Sequence, residues 1–141
     1  MRRLLPLAVA LALLAGCGDD ESTTTASDPI APVAGTWQGT LHQQDTKPFP
    51  IEVTIASADD PDDNVVNYGG SIDCSGTWRY LGSEGETFEF EEVIDSGQGG
   101  ACKGRGRVTV RHSAEELDYE FRGGGVESRG TLRTQAPSGG G

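Results

Sequence analysis

The chain has 141 residues, of which 35% are hydrophobic and 23% charged, with 21 glycines and a formal net charge of −11. That length and hydrophobic content describe one small domain with a modest core and leave no room for a multidomain enzyme. The acidic balance removes nucleic acid from the expected partners.

Two arginines after Met1 precede an apolar stretch from Leu4 to Leu14, which reads as an export signal, too short and wrongly flanked to span a bilayer. It closes on Leu14-Ala15-Gly16-Cys17. That ending resembles the bacterial lipoprotein signal. The resemblance implies cleavage before Cys17, a diacylglycerol on its sulfur and acylation of the new N-terminus, and these chains are the only covalent additions expected. Residues 1–16 are therefore expected to be a signal peptide. The mature protein is expected at the extracytoplasmic face of the cell membrane, held there by lipid. Loss of Arg2 and Arg3 with residues 1–16 takes the formal charge from −11 to −13.

Residues 17–33 read as the lipidated cysteine and a flexible tether, because GDDESTTTASDPIAPV offers almost nothing to bury. The folded unit is expected at 34–134. Residues 135–141, QAPSGGG, read as a disordered tail.

Inside the folded unit the apolar period is two. Phe49, Ile51, Val53 and Ile55 alternate with Pro50, Glu52, Thr54 and Ala56, one face core and the other wet. Similar runs pass through Trp37-Gly39-Leu41, Val66-Tyr68-Gly70-Ile72, Cys74-Gly76-Trp78-Tyr80 and Phe88-Phe90-Glu92-Ile94. Others pass through Val108-Val110, Leu117-Tyr119-Phe121 and Val126 to Arg133. Turn signals separate them at Asp59 to Asn64, Gly82 to Gly85, Gly97 to Gly100, Ser113 to Glu116 and Gly123 to Gly125. About eight short strands with tight turns predict an all-β fold, a small up-and-down antiparallel sheet closed into a barrel so that no edge is exposed. The only helical turn expected in the mature domain is at Ala114-Glu115-Glu116.

With Cys17 assigned to lipid, Cys74 and Cys102 remain, and outside the cytoplasm they are expected to form a disulfide rather than a metal site. Parity places Trp37, Tyr68, Trp78, Tyr80, Glu92 and Tyr119 on inward faces. Glu92 is the anomaly, since a carboxylate among Phe and Ile must be paired, hydrogen-bonded or protonated. Glu92, Tyr68, Tyr80, Tyr119 and Trp37 form the candidate ligand-binding set, for a small cationic or hydroxylated ligand at one mouth of the barrel. The alternative is a structural glutamate satisfied by tyrosine or arginine inside a filled barrel, since a closed sheet of about eight strands fills itself or admits one small ligand.

The acidic run Asp59-Asp60-Pro61-Asp62-Asp63-Asn64 fails the calcium-loop spacing, with Val65 where glycine is needed and Ser71 where the closing glutamate belongs, and reads as a solvated turn. Arg105, Arg107 and Arg111 form an outward basic stripe expected to pair with Glu116, Asp118 and Glu120. His42 and His112 are the only histidines, and no nucleophile-elbow, Ser-x-x-Lys or His-Glu-x-x-His motif is present. No enzymatic activity is expected.

Gly35-Thr36-Trp37 with Gly130-Thr131-Leu132-Arg133 resembles the calycin pattern of lipocalins and avidin-like proteins, in which a Gly-x-Trp packs against a late basic residue to close the barrel base. The resemblance implies that role for Arg133. GTWQGTL, CSGTW, FEFEEVI, GACKGRGRVTV, LDYEF and GTLR together are similar to the small extracytoplasmic domains of actinobacterial lipoproteins and receptor-type serine/threonine kinases, which implies the same fold, location and paired cysteines.

The leading functional expectation is a lipid-anchored binding or sensor barrel for a small-molecule or envelope ligand. A second is a module for an envelope protein partner, similar to periplasmic lysozyme inhibitors, whose Ser-Gly-x-x-Tyr loop is approached by Ser75-Gly76-Thr77-Trp78-Arg79-Tyr80. A third is a structural envelope lipoprotein.

Overall fold

The computed structural model describes residues 28–97 and 102–135. The expected export signal, Cys17 and residues 136–141 lie outside the described residues. Eight strands follow one another: β1 (Gly35–Gln43), β2 (Thr46–Ile55), β3 (Val65–Tyr68), β4 (Cys74–Glu84), β5 (Thr87–Ser96), β6 (Arg105–Ser113), β7 (Glu116–Gly123) and β8 (Val126–Thr134). Each pairs antiparallel with the next, and β1 pairs with β8, so the sheet closes into an up-and-down barrel. This is the architecture that the period-two alternation predicts, and closure leaves no free edge to template association. No helix among the described residues is long and apolar enough to cross a membrane.

The two ends of the barrel differ. At one end lie the short β1–β2 and β7–β8 hairpins, the β3–β4 turn and the β5–β6 connection with its disulfide. Gly124 and Gly125 make the β7–β8 turn with φ of 58° and 79°, the doubly left-handed geometry whose twist matches the flanking strands. The other end carries the β2–β3 loop, the β4–β5 and β6–β7 hairpins and both ends of the folded chain.

That second end is plugged. The folded unit reaches back into the expected tether: Ile30 and Val33 are fully buried in the core, joined by a 3-10 turn over Ala31–Val33. The Trp37 indole donates to the Val33 carbonyl at 2.8 Å, which fastens the segment to β1. Two apolar residues in a Ser/Thr/Asp/Pro-rich stretch give no periodic signal, so the folded unit begins earlier than expected.

The β2–β3 loop is held by one buried side chain. Asn64 accepts from the Ala56 and Ser57 amides and donates to the Ser57 and Trp78 carbonyls, all within 2.9 Å. Asp60 caps a second 3-10 turn at Pro61–Asp63 by accepting from Asp62 N. The acidic run is thus a capped turn, and among the described residues no group of His, Cys, Asp and Glu is placed to hold a metal.

Other expectations shift. β3 ends at Tyr68 rather than continuing to Ile72, because Gly70 turns at φ 66°. Ala114 and Glu115 form a two-residue hairpin turn with Ala114 at φ 55°, not a turn of helix. Arg105 and Arg107 pair with Glu91 and Glu89 on β5, because β7 presents another arginine, Arg122, opposite Arg107; Arg111 does lie opposite Asp118. Arg133 stands on the outer wall, its side chain 73% exposed and paired with Glu116. It does not close the base under Trp37. The His112 ring meets Trp37 instead in a T-shaped contact, 6.4 Å between centroids.

Cys74 and Cys102 are joined with Cα atoms 6.6 Å apart across 28 residues. In the chain-entropy account a loop of that length stabilises the fold by about 3.5 kcal/mol, a large part of a small domain's total.

Candidate functional site

Four strands, β3, β4, β5 and β7, bring the site together. Glu92 on β5 sits opposite Trp78 on β4 and Gly106 on β6. Its inward parity leaves the residue 2% exposed. The Tyr68 hydroxyl, from the end of β3, donates to Glu92 Oε1 at 2.5 Å, and the Trp78 indole donates to the same oxygen at 2.9 Å. Tyr119 on β7 reaches Tyr68 across the interior, hydroxyl to hydroxyl at 2.8 Å. With the single proton of Tyr68 committed to Glu92, the proton of that contact comes from Tyr119.

Packing fixes these rings. Trp78 stacks on Tyr119 with centroids 6.0 Å apart and lies 5.3 Å from Phe90. Phe121 lies against Gly106, where any Cβ would stand 2.2 Å from its ring. A side chain at position 106 would displace Phe121 from the wall of the site.

Burial pushes the Glu92 carboxyl above the ordinary glutamate range, against the opposing hydrogen bonds from Tyr68 and Trp78. Both tyrosines are held well above their ordinary value, Tyr68 by burial and then by Tyr119 and Glu92, and Tyr119 by burial and then by Glu92. The phenols therefore stay protonated throughout the neutral range. Glu91, the next residue back along the strand, faces out and moves the other way, its carboxyl lowered chiefly by the hydrogen bond from Arg79.

A small cavity opens from this network to the hairpin end of the barrel. The space in it that a water-sized group can enter is ≈ 20 Å³, within ≈ 260 Å³ of atom-free space that includes open solvent. The recess has room for about one water. Glu92, Tyr68 and Tyr119 line it together with Gln43 and Ser128, and Phe49, Ile72 and Phe121 form its apolar wall. Lys103 and Cys102 complete the rim, the Lys103 stem lying alongside Gly124. The barrel is thus nearly filled, with one polar recess reaching its buried carboxylate.

Of the expected set, Glu92, Tyr68 and Tyr119 converge. Trp37 and Tyr80 do not: Trp37 faces the plugged end, and Tyr80 is half-buried with its hydroxyl on Ser83, near the β4–β5 hairpin. Trp78, already placed inward by parity, is the residue the candidate set omitted; an indole N–H directly across the strand pair from a buried glutamate is the signal that finds it. Ser75 to Tyr80 lie within β4 and not in a loop, with Gly76 buried against the Val93 carbonyl.

Comparison with family models, curated proteins and solved structures found no match to this chain.

Proposed function

We propose that the protein is a lipid-anchored, extracytoplasmic barrel that binds a small ligand at its open end and carries out no turnover. The observation that carries this reading is the recess that runs from the hairpin end to Glu92, a carboxylate kept inside a barrel that could have been filled with apolar side chains. A buried ionisable group is costly to keep, and groups perturbed in this way cluster at functional sites. The chain leader and Cys17 support the anchor, and the folded chain starts at the opposite end from the recess, so a tether would not cover it. The recess is smaller than an ordinary ligand site, which suits a very small molecule or the tip of a longer one.

Native mass spectrometry of the protein released gently from an exporting cell envelope tests the binding. A retained small mass supports the reading; a bare mass, with no shift of the Tyr68 and Tyr119 resonances on addition of envelope extract, overturns it. Metabolic labelling with a palmitate analogue tests the anchor. Label on the wild type and none on Cys17→Ser supports it, and label on neither overturns it.

A further inference from the structure

We propose that the group recognised at the floor of the recess is a primary ammonium carried on a short alkyl stem, bound through Glu92 Oε2. This rests on the open-end binding reading above and names its ligand class.

Hydrogen-bond accounting leads there. Every hydroxyl proton bordering the recess is already committed: Tyr68 to Glu92, Tyr119 to Tyr68, and Ser128 to Gln43 Oε1 at 2.6 Å. The Gln43 amide nitrogen is directed to Thr46. Trp78 spends its one N–H on Glu92 Oε1. With Glu92 ionised, what remains at the floor is mainly acceptor capacity, on Oε2, which has no hydrogen-bond partner among the described residues, and on the lone pairs of the Tyr119 and Ser128 hydroxyls, beside the second Gln43 amide proton. A floor with surplus acceptors favours a group that is all donor over a carboxylate or phosphate; an ammonium offers three N–H donors and a charge to match.

Size and lining narrow the class further. The floor admits about one water-sized group, which a –NH3+ matches and a quaternary ammonium exceeds. Phe49, Ile72 and Phe121 line the way in and suit methylene groups. The overall charge of −11 raises the local concentration of cations. Among the described residues Lys103, at the rim, is the other charged side chain that lines the recess.

Without ligand, burial favours a proton on Glu92, and Oε2 is the oxygen free to carry it. An ammonium that docks there displaces that proton to solvent, so binding and proton release are coupled one for one wherever Glu92 starts protonated. Affinity then rises with pH through the raised value of Glu92 and levels off above it.

Calorimetric titration of the full domain with n-butylammonium, n-butanol, butyrate and tetramethylammonium, each in buffers of different ionisation heat, tests this. The expected result is saturable binding of n-butylammonium alone, with proton release at acidic pH that vanishes as pH rises. Glu92→Gln, which keeps an acceptor for Tyr68 and Trp78, weakens binding by about tenfold or more and abolishes the proton release. Butanol binding as well as the amine, amine binding without proton release at acidic pH, or unchanged affinity in Glu92→Gln each overturns the assignment. A neutral or anionic mass retained from the envelope, with no amine binding, overturns the ammonium and leaves the open end a binding site. No retained mass and no binding of any probe overturns both.

Discussion

Glu91 and Glu92 are adjacent on β5 and titrate in opposite directions, because one side chain points outward to Arg79 and the other inward to a buried indole and phenol. Glu92 binds its proton more tightly in the folded protein than in the unfolded chain. Its contribution to stability is therefore complete below the ordinary glutamate range and is lost as pH rises through its raised value, at about 1.4 kcal/mol for each tenfold difference in proton affinity. Melting temperature against pH is expected to show this decline in the wild type and not in Glu92→Gln. Carboxyl carbon NMR should place the Glu92 midpoint above that of Glu91.

Tyr68 stands between its two partners, so removing its hydroxyl strips a donor from Glu92 and leaves Tyr119 without an acceptor. Tyr68→Phe is expected to cost about 2–3 kcal/mol and to raise the Glu92 midpoint further, whereas Tyr119→Phe loses one bond and costs about 1 kcal/mol. Urea unfolding of the two variants checks the order. Equal costs would mean that the hydroxyls do not form a chain.

The plug is a packing element. Ile30→Ala is expected to cost about 2–4 kcal/mol, as for other fully buried large-to-small changes. A domain that begins at Ala34 should melt well below one that begins at Asp28, with a shift in Trp37 fluorescence as its indole loses the Val33 carbonyl. Matching melting temperatures would return residues 28–33 to the tether.

Asn64 serves four backbone groups at once. Asn64→Ala is expected to cost about 3 kcal/mol or more by leaving buried backbone groups unpaired. Asn64→Asp should fail as well, since it sets a carboxylate oxygen against the Ser57 and Trp78 carbonyls. Faster hydrogen exchange at the Ala56 and Ser57 amides would report the opened loop.

Ala114 carries a left-handed backbone with a Cβ, at φ 55°. Ala114→Gly is expected to raise stability by about 0.5–1 kcal/mol, the steric relief exceeding the entropy glycine brings to the unfolded chain. A fall in melting temperature would contradict the hairpin geometry.

Strand alternation in the sequence carries most of the fold, and it carries part of the site. Period two tells which face a side chain occupies, so Glu92, Tyr68, Tyr119 and Trp78 were all legible as inward. It does not tell how high along the barrel axis each one sits, because height depends on the stagger between strands that closes β1 onto β8. Trp37 and Tyr80 share the right face with Glu92 and lie towards the other end for that reason. Arg133 fails by parity itself, since Leu132 takes the inward position beside it. The plug was illegible for a different reason: Ile30 and Val33 form no strand or helix of useful length, and their burial depends wholly on a barrel end that exists only once the sheet has closed.

Both ends of the folded chain leave the barrel from its plugged side, Asp28 through the 3-10 turn and Gln135 where its amide bonds to the Thr36 carbonyl. A reporter, surface linker or second domain joined at either terminus would therefore stand behind the barrel, with the recess still facing away from it. The same molecule can be immobilised by one end and labelled at the other without either attachment occluding the approach to Glu92.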